Sequence, residues 1–216
     1  MTRVREIYVI CDITALERAG VDALAFSDAC IMQGPWALQL RAKHASREER
    51  ETLARALRAR TRAAGVRFVV NDDADLAARV EADMVHVGQG DERVALVRAR
   101  HPRLGVGVST HVLAELEQAI LEQPSYVAFG PVYATASKDA HEPVVGPELL
   151  ARAATRARQA GVSLVAIGGL DATRVRTLYA SAACAPHAVA MIGVLVNAMR
   201  DGGEAGVRAA FAELTS

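Results

Sequence analysis

The chain has 216 residues, 51% hydrophobic and 23% charged, a size and balance that suit one folded domain and exclude a disordered or fibrous chain. Its 25 basic and 25 acidic side chains cancel, so no net field favours nucleic acid or an anionic membrane, and any anion binding has to be local. No apolar run approaches membrane-spanning length, and the apolar part of "MTRVREIYVICDIT" is too short for a signal peptide, so a cytoplasmic protein is expected.

Short apolar runs rich in β-branched residues recur along the chain. The first, "IYVIC" (7–11), is followed by an ill-defined helical pattern. "WALQL" (36–40) leads into "SREERETLARALRARTRAAG" (46–65), which opens with a capping box of Ser46 and Glu49 and closes on Gly65. "RFVV" (67–70) precedes the helical pattern "DADLAARVEA" (73–82). "MVHVG" (84–88) and "LGVGV" (104–108) follow, the latter ahead of "THVLAELEQAILEQ" (110–123). "YVAFG" (126–130) precedes "PELLARAATRARQAG" (147–161), "SLVAIGG" (163–169) precedes "DATRVRTLYASA" (171–182), and "AVAMIG" (188–193) is the eighth run. Strand-then-helix alternation means parallel strands joined by right-handed crossovers. Eight such units in this length predict a single-domain α/β fold over 1–216, a (β/α)8 TIM barrel.

A barrel of this kind carries its chemistry just past the carboxyl ends of its strands. After the second strand, alternation puts Gln39, Arg41 and Lys43 on one side, facing the barrel mouth. An inward arginine and lysine need anionic partners, and phosphate oxygens fit a bidentate fork beside a point charge; a strand edge facing water is the alternative. Among 25 basic residues only Lys43 and Lys138 are lysines, in a chain that otherwise uses arginine, which marks both as places where a compact ammonium is wanted.

The third strand ends in Asn71 and Asp72, and Asp91 lies just past the fourth. Two carboxylates from adjacent strand ends, together with substrate phosphate, are the usual way a magnesium ion is held. Asp73 and Asp75 read instead as first-turn helix charges. The fifth strand supplies Ser109 as a substrate donor, Thr110 as a possible N-cap, and His111 as either a base or a first-turn residue.

The sixth strand delivers "GPVYATASKD", with Thr135, Ser137 and Lys138 framed by Gly130, Pro131 and Gly146. A loop of this length is either a lid over the mouth or an ordinary solvent loop. Glycines after the seventh strand (Gly168, Gly169), and Ile192 and Gly193 after the eighth, offer backbone amides to a phosphate. Cys11, Cys30 and Cys184 are an odd number at scattered spacings, as reduced, partly buried thiols would be, and the six histidines form no metal-ligand spacing.

Taken together, "QLRAK", "VNDDADLA", "ADMVHVGQGD", "GVSTH", "GPVYATASKD" and "VAIGG" resemble the thiamine-phosphate synthase family, in the same order from near Tyr8 to near Ile192. The resemblance implies a (β/α)8 barrel that joins a hydroxymethylpyrimidine diphosphate to a hydroxyethylthiazole phosphate and releases pyrophosphate with Mg2+. It implies that Gln39, Arg41, Lys43, Asn71, Ser109 and Lys138 hold the pyrimidine diphosphate, and that Asp72 and Asp91 hold the metal. Thr135, Ser137, Gly169, Ile192 and Gly193 match the thiazole phosphate site, and Arg41, Lys43, Lys138 and Ser109 are the expected catalytic groups. The family usually has threonine where Ser137 stands, proline where Ala134 stands and serine where Gly193 stands. The expected partners are these small substrates, with homo-oligomerisation compatible and no nucleic acid or membrane. Two other readings stand beside the synthase: a thiazole tautomerase of the same fold, using a histidine at the place of His111, and a phosphate-ligand binding barrel without catalysis.

Overall fold

The computed structural model describes residues 5–135, 143–182 and 184–216. All eight apolar runs are strands: β1 (Glu6–Asp12), β2 (Ala37–Arg41), β3 (Arg67–Asn71), β4 (Met84–Val87), β5 (Gly105–Thr110), β6 (Tyr126–Phe129), β7 (Ser163–Ile167) and β8 (Ala188–Met191). They pair in sequence order into a closed parallel barrel. Closure is made by β1 against β8, from Glu6 opposite Ala188 to Val9 opposite Met191.

The helices between them start where the local chemistry allows. In α3 (Arg47–Ala64) the capping box forms, with Glu49 N donating to Ser46 Oγ at 3.2 Å and Ser46 N to the Glu49 carboxylate at 2.8 Å. Gly65 closes it at φ 68°. The ill-defined stretch after β1 is two helices, α1 (Ile13–Ala19) and α2 (Ala23–Ile31), each opened by an aspartate cap, Asp12 and Asp22, and separated by Gly20 at φ 67°. Next come α4 (Ala74–Arg79), α5 (Val94–Arg100), α6 (Leu113–Leu121), α7 (Gly146–Gln159), α8 (Ala172–Ala180) and α9 (Gly193–Thr215). Two of these go beyond the sequence reading: α5 has Arg93 at its N-cap position with no side-chain cap, and α9 has no side-chain cap and kinks at Gly203 (φ 56°, ψ −146°), so the first lacks a clear start and the second an unbroken period as well. The N-cap expected at Thr110 is not formed. Thr110 lies inside β5 with Oγ1 donating to Ala128 O at 2.9 Å, and Val112 precedes α6 instead.

Between strands and helices lies the apolar core, with side chains such as Phe26, Leu57, Phe68, Leu116, Leu150 and Leu178 out of solvent. Cys11 and Cys30 belong to it, as the sequence reading expected, and burial pushes the Cys11 thiol up to about 12. Inside the barrel the filling is aromatic and polar. Tyr8, Trp36 and Tyr126 meet edge to face at 5.5–5.7 Å. Gly107, in the middle of β5, is glycine for a packing reason: a Cβ there would lie 2.0 Å from the Tyr126 ring. Among the described residues, no helix is long and apolar enough to cross a membrane.

Because the Tyr126 ring is wedged against partners on several strands, it cannot retreat from a new methyl group. Gly107→Ala is expected to cost about 1–3 kcal/mol of stability by overpacking, read as a lower urea midpoint at unchanged slope. Gly90→Ala, where nothing lies within 4 Å of the new Cβ, is the matched control and should leave the midpoint almost unmoved.

Candidate active site

The polar strand ends gather at one end of the barrel, as parallel strands require, because every strand points its carboxyl end the same way. Gln39 is buried in β2, with Nε2 donating to Asn71 Oδ1 at 2.6 Å and Oε1 accepting from the Tyr8 hydroxyl at 2.9 Å. Ser109 in β5 is half-buried, with its hydroxyl 2.8 Å from His86 Nε2 and its carbonyl accepting from Gln89 Nε2 at 2.5 Å.

Arg41 and Lys43 both reach carboxylates of the protein itself. Arg41 pairs with the buried Asp12, which also accepts from Ala15 N at 3.0 Å and so caps α1. Lys43 Nζ lies 3.4 Å from Asp72 Oδ2. The demand for anionic partners is therefore met within the fold: Arg41 is largely buried against Asp12 and Lys43 is half exposed beside Asp72, so neither cation by itself requires a ligand. They also face different spaces. Arg41 lines a cleft of about 260 Å3 that it shares with Arg18, Arg200, Ile192 and Gly193, whereas Lys43 lines a depression of about 160 Å3 with Arg50, Asn71 and Asp72.

The two aspartates expected to hold a metal do come together. Asp72 follows β3 in a left-handed conformation (φ 65°), a strained state for a residue with a Cβ, and it is held there by its N–H donating to His86 O at 2.8 Å. Asp91, which is exposed, is held by Gly88 N donating to its Oδ2 at 2.7 Å. The carboxyl of Asp72 is held above the usual aspartate range, first by its half-burial and then by the Asp91 charge at hydrogen-bonding range, with Lys43 opposing both. Two carboxylates against one ammonium leave an unneutralised negative charge on hard oxygen donors, a set that suits a small divalent cation. Among the described residues no third acidic, histidine or cysteine ligand completes an all-protein metal cluster, so any further ligands would come from substrate or water. Asp73 caps α4 by accepting from Leu76 N at 2.8 Å, and Asp75 pairs with Arg100 and His101, so both are the helix charges the sequence reading made them.

The far side of the mouth is built by the segment after β6. Val132 N and Tyr133 N donate to Ile167 O and Gly168 O at 2.9 and 3.1 Å, which ties the segment that leads to Thr135 to the end of β7. Gly168 and Gly169 are glycine because this segment crosses them: a Cβ would meet Pro131 at 2.5 Å and Ala134 O at 2.4 Å, at φ 100° and 61°. Ile192 and Gly193 open α9, whose first turn has no side-chain cap and so keeps free amides. His111 Nδ1 donates to Gly130 O at 2.6 Å, fastening the end of β5 to the start of the same segment. Ser137 and Lys138 lie outside the described residues.

Three polar residues of the barrel interior are absent from the sequence reading, namely Tyr8, His86 and Tyr126. The signal available for them was a tyrosine or histidine at an inward position of an apolar strand, with Gly107 making room opposite.

Comparison with known proteins points to one family. The family model described as thiamine monophosphate synthase matches residues 7–194. The thiamine-phosphate synthase of Chloroflexus aurantiacus is 40% identical over 166 residues, covering 76% of this chain and 74% of that protein. The one from Geobacillus kaustophilus is 38% identical over 152 residues, covering 69% of this chain and 66% of that protein. The solved structure of thiamine phosphate pyrophosphorylase from Pyrococcus furiosus superposes with a TM-score of 0.81 at 26% identity, over 99% of this chain and 94% of that one.

The raised carboxyl of Asp72 has a measurable sign. The native state keeps a proton that the unfolded chain has already released, so this group's contribution to stability falls as pH rises from the ordinary value of 3.8 through the raised one, and the penalty is complete above it. With chelator present, Asp72→Asn should therefore raise the thermal midpoint at pH 7 and raise it less as pH is lowered towards 4. A gain independent of pH would show that the like-charge pair is not its source.

Proposed function

The chain belongs to the thiamine monophosphate synthase family, an enzyme family of group transfer in thiamine biosynthesis, and we propose that it couples 4-amino-2-methyl-5-(diphosphomethyl)pyrimidine to 4-methyl-5-(2-phosphoethyl)thiazole, yielding thiamine phosphate and pyrophosphate. The observation that carries this reading is the Asp72–Asp91 pair beside Lys43 at the barrel mouth, a paired-carboxylate and cation arrangement that a diphosphate with a divalent ion would complete. A magnesium ion held by Asp72, Asp91 and the diphosphate would supply charge neutralisation at the departing oxygens.

The chain's own groups account for the rest by binding and orientation. Lys43 and the amide donors of Asn71 face the diphosphate from the β2 and β3 ends, and Lys138 is assigned to the same anion from the segment after β6. Arg41, anchored on Asp12, presents its remaining N–H groups to the adjoining cleft. The uncapped first turn of α9 at Ile192 and Gly193, with Gly169, Thr135 and Ser137, takes the thiazole phosphate, and backbone amides do there what a serine hydroxyl would add. Ser109 and Gln39 position the pyrimidine ring. Among the described residues none is assigned a covalent role; the barrier is lowered by alignment of the thiazole nitrogen with the methylene carbon and by stabilisation of the leaving group.

Purified protein given both substrates and magnesium should release pyrophosphate, and Asp72→Ala should lower kcat about 100-fold or more while leaving the circular dichroism spectrum unchanged. Lys138→Ala should raise KM for the pyrimidine diphosphate about tenfold, the scale of one lost charged hydrogen bond. Absence of release with and without magnesium would overturn the synthase reading, and isomerisation of a carboxylated thiazole phosphate would put a tautomerase, with His111 as its base, in its place.

A further inference from the structure

Six side chains from six of the eight strands form one continuous line of hydrogen bonds through the barrel interior. In spatial order they are Asn71 (β3), Gln39 (β2), Tyr8 (β1), Tyr126 (β6), His86 (β4) and Ser109 (β5), at successive separations of 2.6, 2.9, 2.7, 2.8 and 2.8 Å. The line crosses the lumen between Tyr8 and Tyr126, whose strands are not neighbours, and both rings are fully buried.

Each hydroxyl has one proton to give, and this makes the line directional. Gln39 donates to Asn71 Oδ1 and so presents Oε1 to Tyr8, which must donate to it. The Tyr8 proton being committed, Tyr126 donates to Tyr8; the Tyr126 proton being committed, His86 Nδ1–H donates to Tyr126. The relay places a proton on His86 Nδ1; with the ring neutral, Nε2 carries none and accepts from the Ser109 hydroxyl. Turning both terminal amides over would reverse every bond and give His86 the opposite tautomer. In this direction Asn71 spends its oxygen on Gln39 and keeps its NH2 as a donor, in a residue that lines the same depression as Lys43 and Asp72, where an anion or a carboxylate favours donors.

We propose that Tyr8, Tyr126 and His86 are positioning residues whose directional relay fixes Ser109 Oγ as a hydrogen-bond acceptor towards the substrate, so that the site selects a ring bearing an exocyclic amine over its oxo counterpart. The hydroxyl proton of Ser109 is spent on His86, and only its lone pairs face the mouth. Once a bound ring covers it, a half-buried acceptor disfavours a ligand that brings a second acceptor, because neither can then be paired. The same relay couples the two ends of the substrate: a diphosphate that holds the Asn71 amide outward enforces the polarity that Ser109 shows to the ring. The substrate half of this inference rests on the proposed synthase reading, whereas the direction of the relay does not.

The experiment has two arms. In wild-type protein labelled with 15N-histidine, the His86 ring, assigned by its loss in His86→Gln, should show the neutral Nδ1–H tautomer with an unprotonated Nε2. The Nε2–H tautomer or a doubly protonated ring would overturn the relay, whatever the enzyme's activity. In the second arm, turnover is compared for the aminopyrimidine diphosphate and its 4-oxo analogue, in wild type, Tyr8→Phe and Tyr126→Phe. Wild-type pyrophosphate release is the control that separates failure of the synthase reading from failure of the relay. Tyr126→Phe should raise KM for the aminopyrimidine diphosphate about tenfold, lower the amine-over-oxo ratio of kcat/KM by a similar factor, and leave KM for the thiazole phosphate unchanged. An unchanged amine-over-oxo ratio in both folded variants would overturn the specificity role.

Discussion

The closing of β8 onto β1 is the constraint from which the rest of the molecule follows. Once the sheet is a cylinder, no edge remains and every inward side chain faces other side chains rather than water. Any polar group placed inside must then find its partner inside. The Gln39, Tyr8, Tyr126 and His86 bonds answer that demand across the lumen, and Gly107 exists to let the Tyr126 ring reach its place. The same closure, acting on parallel strands, carries every strand's carboxyl end to one rim. Residues as distant in sequence as Asp12, Asp91 and Gly193 become parts of one surface.

At that rim the fold accepts electrostatic cost. Asp72 sits in a left-handed conformation, half out of water and against a second carboxylate, and only one ammonium at 3.4 Å opposes this. A site selected for stability alone would not keep two acids together there. The cost is intelligible if a cation and a polyanion arrive together and are bound tightly because the empty site is poorly satisfied. Arg41 is the contrast. Its Asp12 partner also caps α1, so one buried ion pair fixes the guanidinium, the start of a helix and the wall of the neighbouring cleft.

Much of this was legible in the residues. Strand positions followed from apolar runs of the right length, α3 from its capping box and Gly65, Gln39 from alternation along its strand, and Asn71, Asp72, Asp91 and Ser109 from their places just past those runs. Less was legible where the signal is not local. The helices α5 and α9 lack a side-chain cap, and Gly202 and Gly203 interrupt the period of the latter. Thr110 carries a capping residue's chemistry but spends its hydroxyl on the neighbouring strand. Gly168 and Gly169 fit a phosphate loop on spacing, yet what removes their side chains is the segment from Pro131 to Ala134 lying across them.

By itself, then, the sequence determined the periodicity, the eight strands, the family resemblance and the list of rim residues, because each depends on spacing along the chain. Partnership was decided only by the tertiary structure. Arg41 belongs to Asp12 and Lys43 to Asp72, and Tyr8 meets Tyr126 across 118 positions of chain. A hydrogen bond or ion pair forms between whichever groups closure brings within about 3 Å, and no local pattern records a distance set by the circumference of a barrel.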